Sequence, residues 1–123
     1  MSKKRVLVID DEEAFLTILK LNLEETGAYE VRTMSDGREV IKCLNEFHPD
    51  VILVDMVMPK IGGLEICELL NRDPLGLKTP VIVLSALDKD IDKLKAFKKG
   101  VIEYITKPVD NNMLIAKIKK VLS

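Results

Sequence analysis

The chain has 123 residues, 47% of them hydrophobic and 32% charged, enough for one core that buries roughly two-thirds of the unfolded surface without disulfides or a structural metal. Nineteen Lys and Arg against twenty Asp and Glu leave a formal net charge of −1, which excludes a global field drawing the whole molecule to nucleic acid or anionic lipid. Charge is uneven all the same: residues 1–88 carry ten basic and sixteen acidic side chains, a net −6, and residues 89–123 carry nine lysines against four acids, a net +5.

Taken in order, the chain alternates short β-branched runs with stretches of helical period. Arg5 to Ile9 (RVLVI) predicts a first strand, and only these few apolar residues precede the block Asp10-Asp11-Glu12-Glu13, too short for a signal-peptide core. Ala14, Ile18, Leu19, Leu21 and Leu23 mark a first helix that ends near Gly27. Tyr29 to Thr33 predicts a second strand. Val40, Ile41 and Leu44 mark a second helix, opened by Ser35 or Asp36 as N-cap and closed before Pro49. Val51 to Val54 (VILV) is the third strand. Leu64, Cys67 and Leu70 mark a third helix, stopped by Asp73-Pro74. Val81 to Leu84 (VIVL) is the fourth strand, Ile91, Leu94 and Phe97 space a fourth helix ended at Gly100, and Val101 to Ile105 predicts the fifth strand. Leu114, Ile118 and Val121 space a fifth helix to the C-terminus.

This order is that of repeated βα units. Right-handed crossovers then place helices on both faces of one parallel sheet, a three-layer doubly wound α/β fold occupying residues 1–123 as a single domain. The first, third and fourth strands are continuously apolar, as central parallel strands covered on both faces should be. The second and fifth carry Glu30, Arg32 and Glu103, which suits an edge. No run approaches the roughly 20 apolar residues that span a bilayer. Cys43 and Cys67 show no metal-ligand spacing and read as two buried thiols, so a reducing cytoplasm is the expected compartment.

In doubly wound sheets the ligand crevice lies beyond the carboxyl ends of the strands. Those ends carry Asp10 and Asp11, Asp55, Ser85 and Lys107. Clustered carboxylates resist ionisation unless a cation joins them, and a hard divalent ion, Mg²⁺ before others, takes oxygen ligands and keeps waters for a phosphoryl substrate. Lys107 suits phosphate oxygens and the Ser85 hydroxyl can donate to another. Asp55, at the end of the central strand and followed by Met58-Pro59 and Gly62-Gly63, is the best nucleophile, with an acyl phosphate as product. Each residue also has a plainer reading. The DDEE block can be a helix cap, Asp55 a turn residue, Ser85 a cap and Lys107 a solvated charge. Joint placement at four strand ends favours the chemistry.

The segments VLVIDDE (Val6 to Glu12), PDVILVDMVMP (Pro49 to Pro59), GGLE (Gly62 to Glu65), PVIVLSA (Pro80 to Ala86) and YITKP (Tyr104 to Pro108) make the chain resemble, over nearly its whole length, the receiver domain of two-component response regulators, the CheY-like family. The resemblance implies a flavodoxin-like five-stranded parallel sheet of order 2-1-3-4-5. It implies that Asp55 is the phosphoacceptor, served by a sensor histidine kinase or a phosphotransfer protein, and that Mg²⁺ is the cofactor, held by Asp10, Asp11, Asp55 and the Val57 backbone carbonyl. Ser85 and Tyr104 would form the switch pair, Lys107 would hold a phosphoryl oxygen, and Lys107-Pro108 would be cis. The fourth helix, fifth strand and fifth helix would signal to an output protein or a fused effector domain. A dimer formed on phosphorylation stays an open alternative. The domain would bind neither nucleic acid nor membrane, and would catalyse only its own phosphorylation and dephosphorylation.

Val57 and Leu87, two residues beyond Asp55 and Ser85, are apolar and cannot orient an attacking water, which predicts a long-lived acyl phosphate. Gly62 stands where relatives often have Asp, which puts the capping of the third helix in question. An aspartate-nucleophile phosphatase would want a carboxylate at Val57. A flavin carrier would want a glycine and hydroxyl phosphate loop where DDEE stands. A receiver-like module that is never phosphorylated would not need all five site residues. His48, the one histidine, reads as incidental, and Phe15, Phe47 and Phe97 are expected in the core. Lys89, Lys93, Lys95, Lys98 and Lys99 read as a solvated helix face before a docking face. Ser123 directly follows the fifth helix, so a stand-alone receiver and a piece of a longer regulator read equally well.

Overall fold

A computed structural model describes residues 2–123. In chain order the elements are β1 (Lys4–Ile9), α1 (Glu13–Glu25), β2 (Tyr29–Met34), a 3₁₀ turn (Gly37–Glu39) leading into α2 (Val40–Phe47), β3 (Val51–Val54), α3 (Gly63–Asn71), α4 (Pro74–Lys78), β4 (Val81–Ser85), α5 (Asp90–Lys98), β5 (Glu103–Thr106) and α6 (Asn111–Leu122). The five strands are parallel in the order β2-β1-β3-β4-β5. Both polar strands, β2 and β5, are therefore edges.

Side chains alternate across a strand, so each central strand feeds two cores. Leu7, Ile9, Ile52, Val54 and Val83 meet Leu44, Ile66, Leu70 and Ala96 from α2, α3 and α5 on one face. Val6, Val8, Leu53, Ile82 and Leu84 meet Leu19, Leu23, Leu114 and Ile118 from α1 and α6 on the other. Continuous apolar strands follow from this two-sided cover. Cys43 and Cys67 are free and buried, and burial pushes the Cys67 thiol up to about 11. No helix among the described residues is long and apolar enough to cross a membrane.

Several boundaries differ from the sequence reading. The fifth strand begins at Glu103, because the Val101 N–H donates to the Ala96 carbonyl and closes the end of α5. Asp73-Pro74 does not only stop a helix. The Asp73 carboxylate accepts the N–H groups of Leu75 and Gly76 and caps the additional short helix α4. Asp36, not Ser35, caps the second helical stretch. In α1 the buried face is Leu16, Leu19 and Leu23, while Ile18 and Leu21 point outward. Phe47 is in the core and Phe15 is half-buried, but Phe97 is 47% exposed. His48 closes α2 in the left-handed conformation (φ 53°), a backbone role only.

Candidate functional site

The sheet register brings the acids together. Ile9 pairs with Val54 and the Asp55 N–H donates to the Ile9 carbonyl at 3.1 Å, so Asp10 and Asp55 leave neighbouring strands side by side. Ser85 pairs with Thr106, and the Lys107 N–H donates to the Ser85 carbonyl at 2.8 Å, which starts the Lys107 side chain at the same edge. A Cβ on Gly63 would stand 2.5 Å from the Asp55 carbonyl oxygen. Glycine there lets α3 start hard against the strand end. Gly62 caps α3 without a side chain of its own: the Glu65 carboxylate accepts its N–H at 3.2 Å, half of a capping box.

Asp10 and Asp55 are 1% and 7% exposed, while Asp11 is open to solvent. One oxygen from each of the three carboxylates lies within 4.8 Å of the others. Asp10 Oδ1 accepts the Glu12 N–H at 2.9 Å in a turn ahead of α1, whose N-cap residue Glu12 makes no side-chain cap bond, so the acidic block does not cap the helix. Its Oδ2 accepts Lys107 Nζ at 2.7 Å, and Asp55 Oδ2 accepts the same ammonium at 3.3 Å. Asp55 Oδ1 accepts the Val57 N–H at 3.3 Å.

Burial raises the Asp55 carboxyl above its ordinary value, opposed by the Val57 N–H and the Lys107 charge and reinforced by Asp10. Burial pulls the Lys107 ammonium down, yet its bond and charge contacts with Asp10, followed by those with Asp55, outweigh that and leave it raised. One ammonium thus partly balances three carboxylates. Asp11 has no hydrogen-bond partner among the described residues, and three convergent hard oxygens with an open side fit a divalent cation that keeps several waters.

Ser85 is buried, and its Oγ accepts the Leu87 N–H at 3.2 Å. The Tyr104 hydroxyl donates to the Leu87 carbonyl at 2.6 Å. The residue after Ala86 therefore joins Ser85 and Tyr104 through both of its peptide groups. Val57 is 60% exposed and Leu87 half-buried, on the rim of an open cleft of about 340 Å³ that Asp11, Asp55, Ser85 and Lys107 also line. The Lys107-Pro108 peptide is cis. Every strand-end residue singled out from the sequence thus lies at this edge.

Two neighbours escaped the sequence reading. Glu12 Oε1 reaches Lys107 Nζ at 3.4 Å, and the Phe15 ring centroid stands 4.5 Å from the same nitrogen. Glu12 is the N-cap residue of α1 and Phe15 lies in its first turn, but only the lysine's fold-back from β5 reveals the contact.

A family model described as "Response regulator receiver domain" matches residues 6–119. The chain is 39% identical over 119 residues to the alkaline phosphatase synthesis transcriptional regulatory protein PhoP of Bacillus subtilis (strain 168), covering 97% of this chain and 48% of that protein. It is 35% identical over 118 residues to the DNA-binding dual master transcriptional regulator RpaA of Synechocystis sp. (strain ATCC 27184 / PCC 6803 / Kazusa), covering 96% and 48%. The chain spans about half the length of these curated relatives. Among solved structures, the chemotaxis protein CheY4 of Vibrio cholerae superposes with a TM-score of 0.92 at 26% identity, over 98% of this chain and 100% of that one.

Proposed function

The chain belongs to the response regulator receiver domain family, and from that premise we propose that it takes a phosphoryl group onto Asp55 and converts the added charge into a change of surface. Receivers of this kind are signalling modules. The whole of residues 1–123 acts as one such module, in the cytoplasm, taking the group from a phosphohistidine on a sensor kinase or phosphotransfer protein.

The observation that carries this reading is the convergence of Asp10, Asp11, Asp55 and Lys107 at adjacent strand ends, with the Lys107 nitrogen 2.7 Å from Asp10 and 3.3 Å from Asp55. An Asp55 carboxylate oxygen forms the new P–O bond while the P–N bond to the donor histidine breaks, the ring nitrogen keeping the electron pair. Lys107 draws the phosphoryl oxygens and holds the group in line, and Ser85 donates its hydroxyl to another oxygen. Asp10, Asp11, Asp55 and the Val57 carbonyl would hold Mg²⁺, which when bound neutralises charge developing on the phosphoryl oxygens.

Phosphorylation adds roughly −1.5 to −2 charges to a cluster already rich in carboxylates. Ser85 then leaves the Leu87 N–H for the phosphoryl group, and Tyr104, bonded to the Leu87 carbonyl, follows the loop. The signal leaves through the surface of α5, β5 and α6, which the sequence reading counted as fourth helix, fifth strand and fifth helix, toward an output protein or fused effector domain, with α5 the part that moves and α6 the fixed side of that surface. Apolar Val57 and Leu87 give the acyl phosphate a long life, and replacing them with Asn and Glu together accelerates its hydrolysis.

Incubation with Mg²⁺ and acetyl phosphate followed by intact mass tests the proposal. One added phosphoryl group in the wild type and none in Asp55→Asn is the expected result. Labelling that survives Asp55→Asn, or none in either protein, overturns it.

A further inference from the structure

We propose that Phe15 is a positioning residue that keeps the Lys107 ammonium at the mouth of the carboxylate cluster. Lys107 Nζ has three N–H donors, and its three oxygen partners are all anionic: Asp10 at 2.7 Å, Asp55 at 3.3 Å and Glu12 at 3.4 Å. The same nitrogen also stands over the ring of Phe15, whose centroid is 4.5 Å away, well within the roughly 6 Å reach of a cation–π contact.

These partners differ in what can take them away. A divalent cation at Asp10, Asp11 and Asp55 would draw on two of the three carboxylates that hold the lysine, and Glu12, with a side chain 66% exposed, is a weak tether. A hard cation takes oxygen ligands and leaves a ring face alone. Beside the exposed Glu12, the ring is therefore the partner that stays with the ammonium when Asp10 and Asp55 are claimed. The lysine stem, flexible by nature, would otherwise be free to swing toward solvent. Phe15 is itself fixed by packing against the core beneath α1 and α6.

The placement of the ammonium stands on the geometry, whereas its benefit to phosphoryl transfer rests on the function proposed above. The test therefore has two arms on the full chain, comparing the wild type with Phe15→Leu and Phe15→Tyr. In proton–carbon NMR, the Lys107 methylene protons should show a ring-current shift in the wild type and Phe15→Tyr, lose it in Phe15→Leu, and keep it when Mg²⁺ is added to saturation. In the second arm, labelling of Asp55 by acetyl phosphate should slow roughly two- to fivefold in Phe15→Leu and recover in Phe15→Tyr. Thermal unfolding checks that both variants fold, with Phe15→Met in reserve for Phe15→Leu. A Lys107 shift indifferent to Phe15→Leu, or one that Mg²⁺ abolishes, overturns the placement. Normal labelling of Phe15→Leu beside a labelled wild type overturns the benefit. A wild type that takes no phosphoryl group fails the function and leaves the NMR arm to decide the placement.

Discussion

Helices α5 and α6 carry the same kind of apolar spacing and meet opposite fates. Leu114 and Ile118 of α6 are fully buried, whereas Ile91, Leu94 and Phe97 of α5 are 52%, 49% and 47% exposed and only Ala96 is covered. The α6 helix is also tied down along its length: Asp110 caps its start, and Lys117 reaches Glu103 of β5 at 2.9 Å. Among the described residues, the side-chain bonds that fasten α5 lie at its C-terminal end, where Asn71 Nδ2 donates to the Lys99 carbonyl at 2.9 Å and Lys99 Nζ meets Glu68 at 2.7 Å. Its other end follows the loop that holds Leu87. A stripe of apolar residues tells which side of a helix is greasy, not whether anything covers it. An element so lightly seated beside the site can move at small cost, and one so firmly seated cannot.

The sharpest way to break this contrast is to hollow each helix. Leu114→Ala should cost about 3 kcal/mol in urea unfolding, through lost burial and a cavity. Leu94→Ala should cost about 1 kcal/mol, since half of that side chain already faces water. Equal losses would mean that α5 is as well seated as α6. A smaller effect sharpens the picture at the joint: Tyr104→Phe deletes the bond to the Leu87 carbonyl, and should lower stability by about 0.5 kcal/mol while raising amide exchange in α5 more than in α6.

A further expectation fixes a sign rather than a size. Asp55 directly follows β3 at the strand ends, and burial raises its carboxyl above the unfolded value of 3.8. The folded chain therefore binds the proton more tightly, and this group subtracts stability as pH rises from the unfolded value through the raised folded one. Asp55→Asn should melt higher than the wild type at neutral pH without metal, with the gap closing as pH falls below that window. A gap that widens in acid would contradict the assignment.

Much of this was readable in the sequence because its causes are local or repeat along the chain. Central strands such as Val51 to Val54 announce themselves by unbroken apolar runs, and the acids appear directly after them. What stayed hidden depends on contacts far apart in sequence. The exposure of Phe97 depends on no other element among the described residues covering that face of α5. The Phe15 ring gains its role only from a lysine 92 positions later in the chain. The short helix α4 was hidden differently, since Asp73-Pro74 serves equally as a stop and as a start, and only the cap bonds to Leu75 and Gly76 separate the two.

Amide hydrogen exchange on the chain with Mg²⁺, before and after acetyl phosphate has added one phosphoryl group by mass, tests the coupling of site to surface most directly. Altered exchange concentrated in residues 86–98, with the amides around Leu114 and Ile118 unchanged, is the predicted result. A phosphorylated sample whose α5 exchange is unaltered, or in which α6 changes as much as α5, would contradict it.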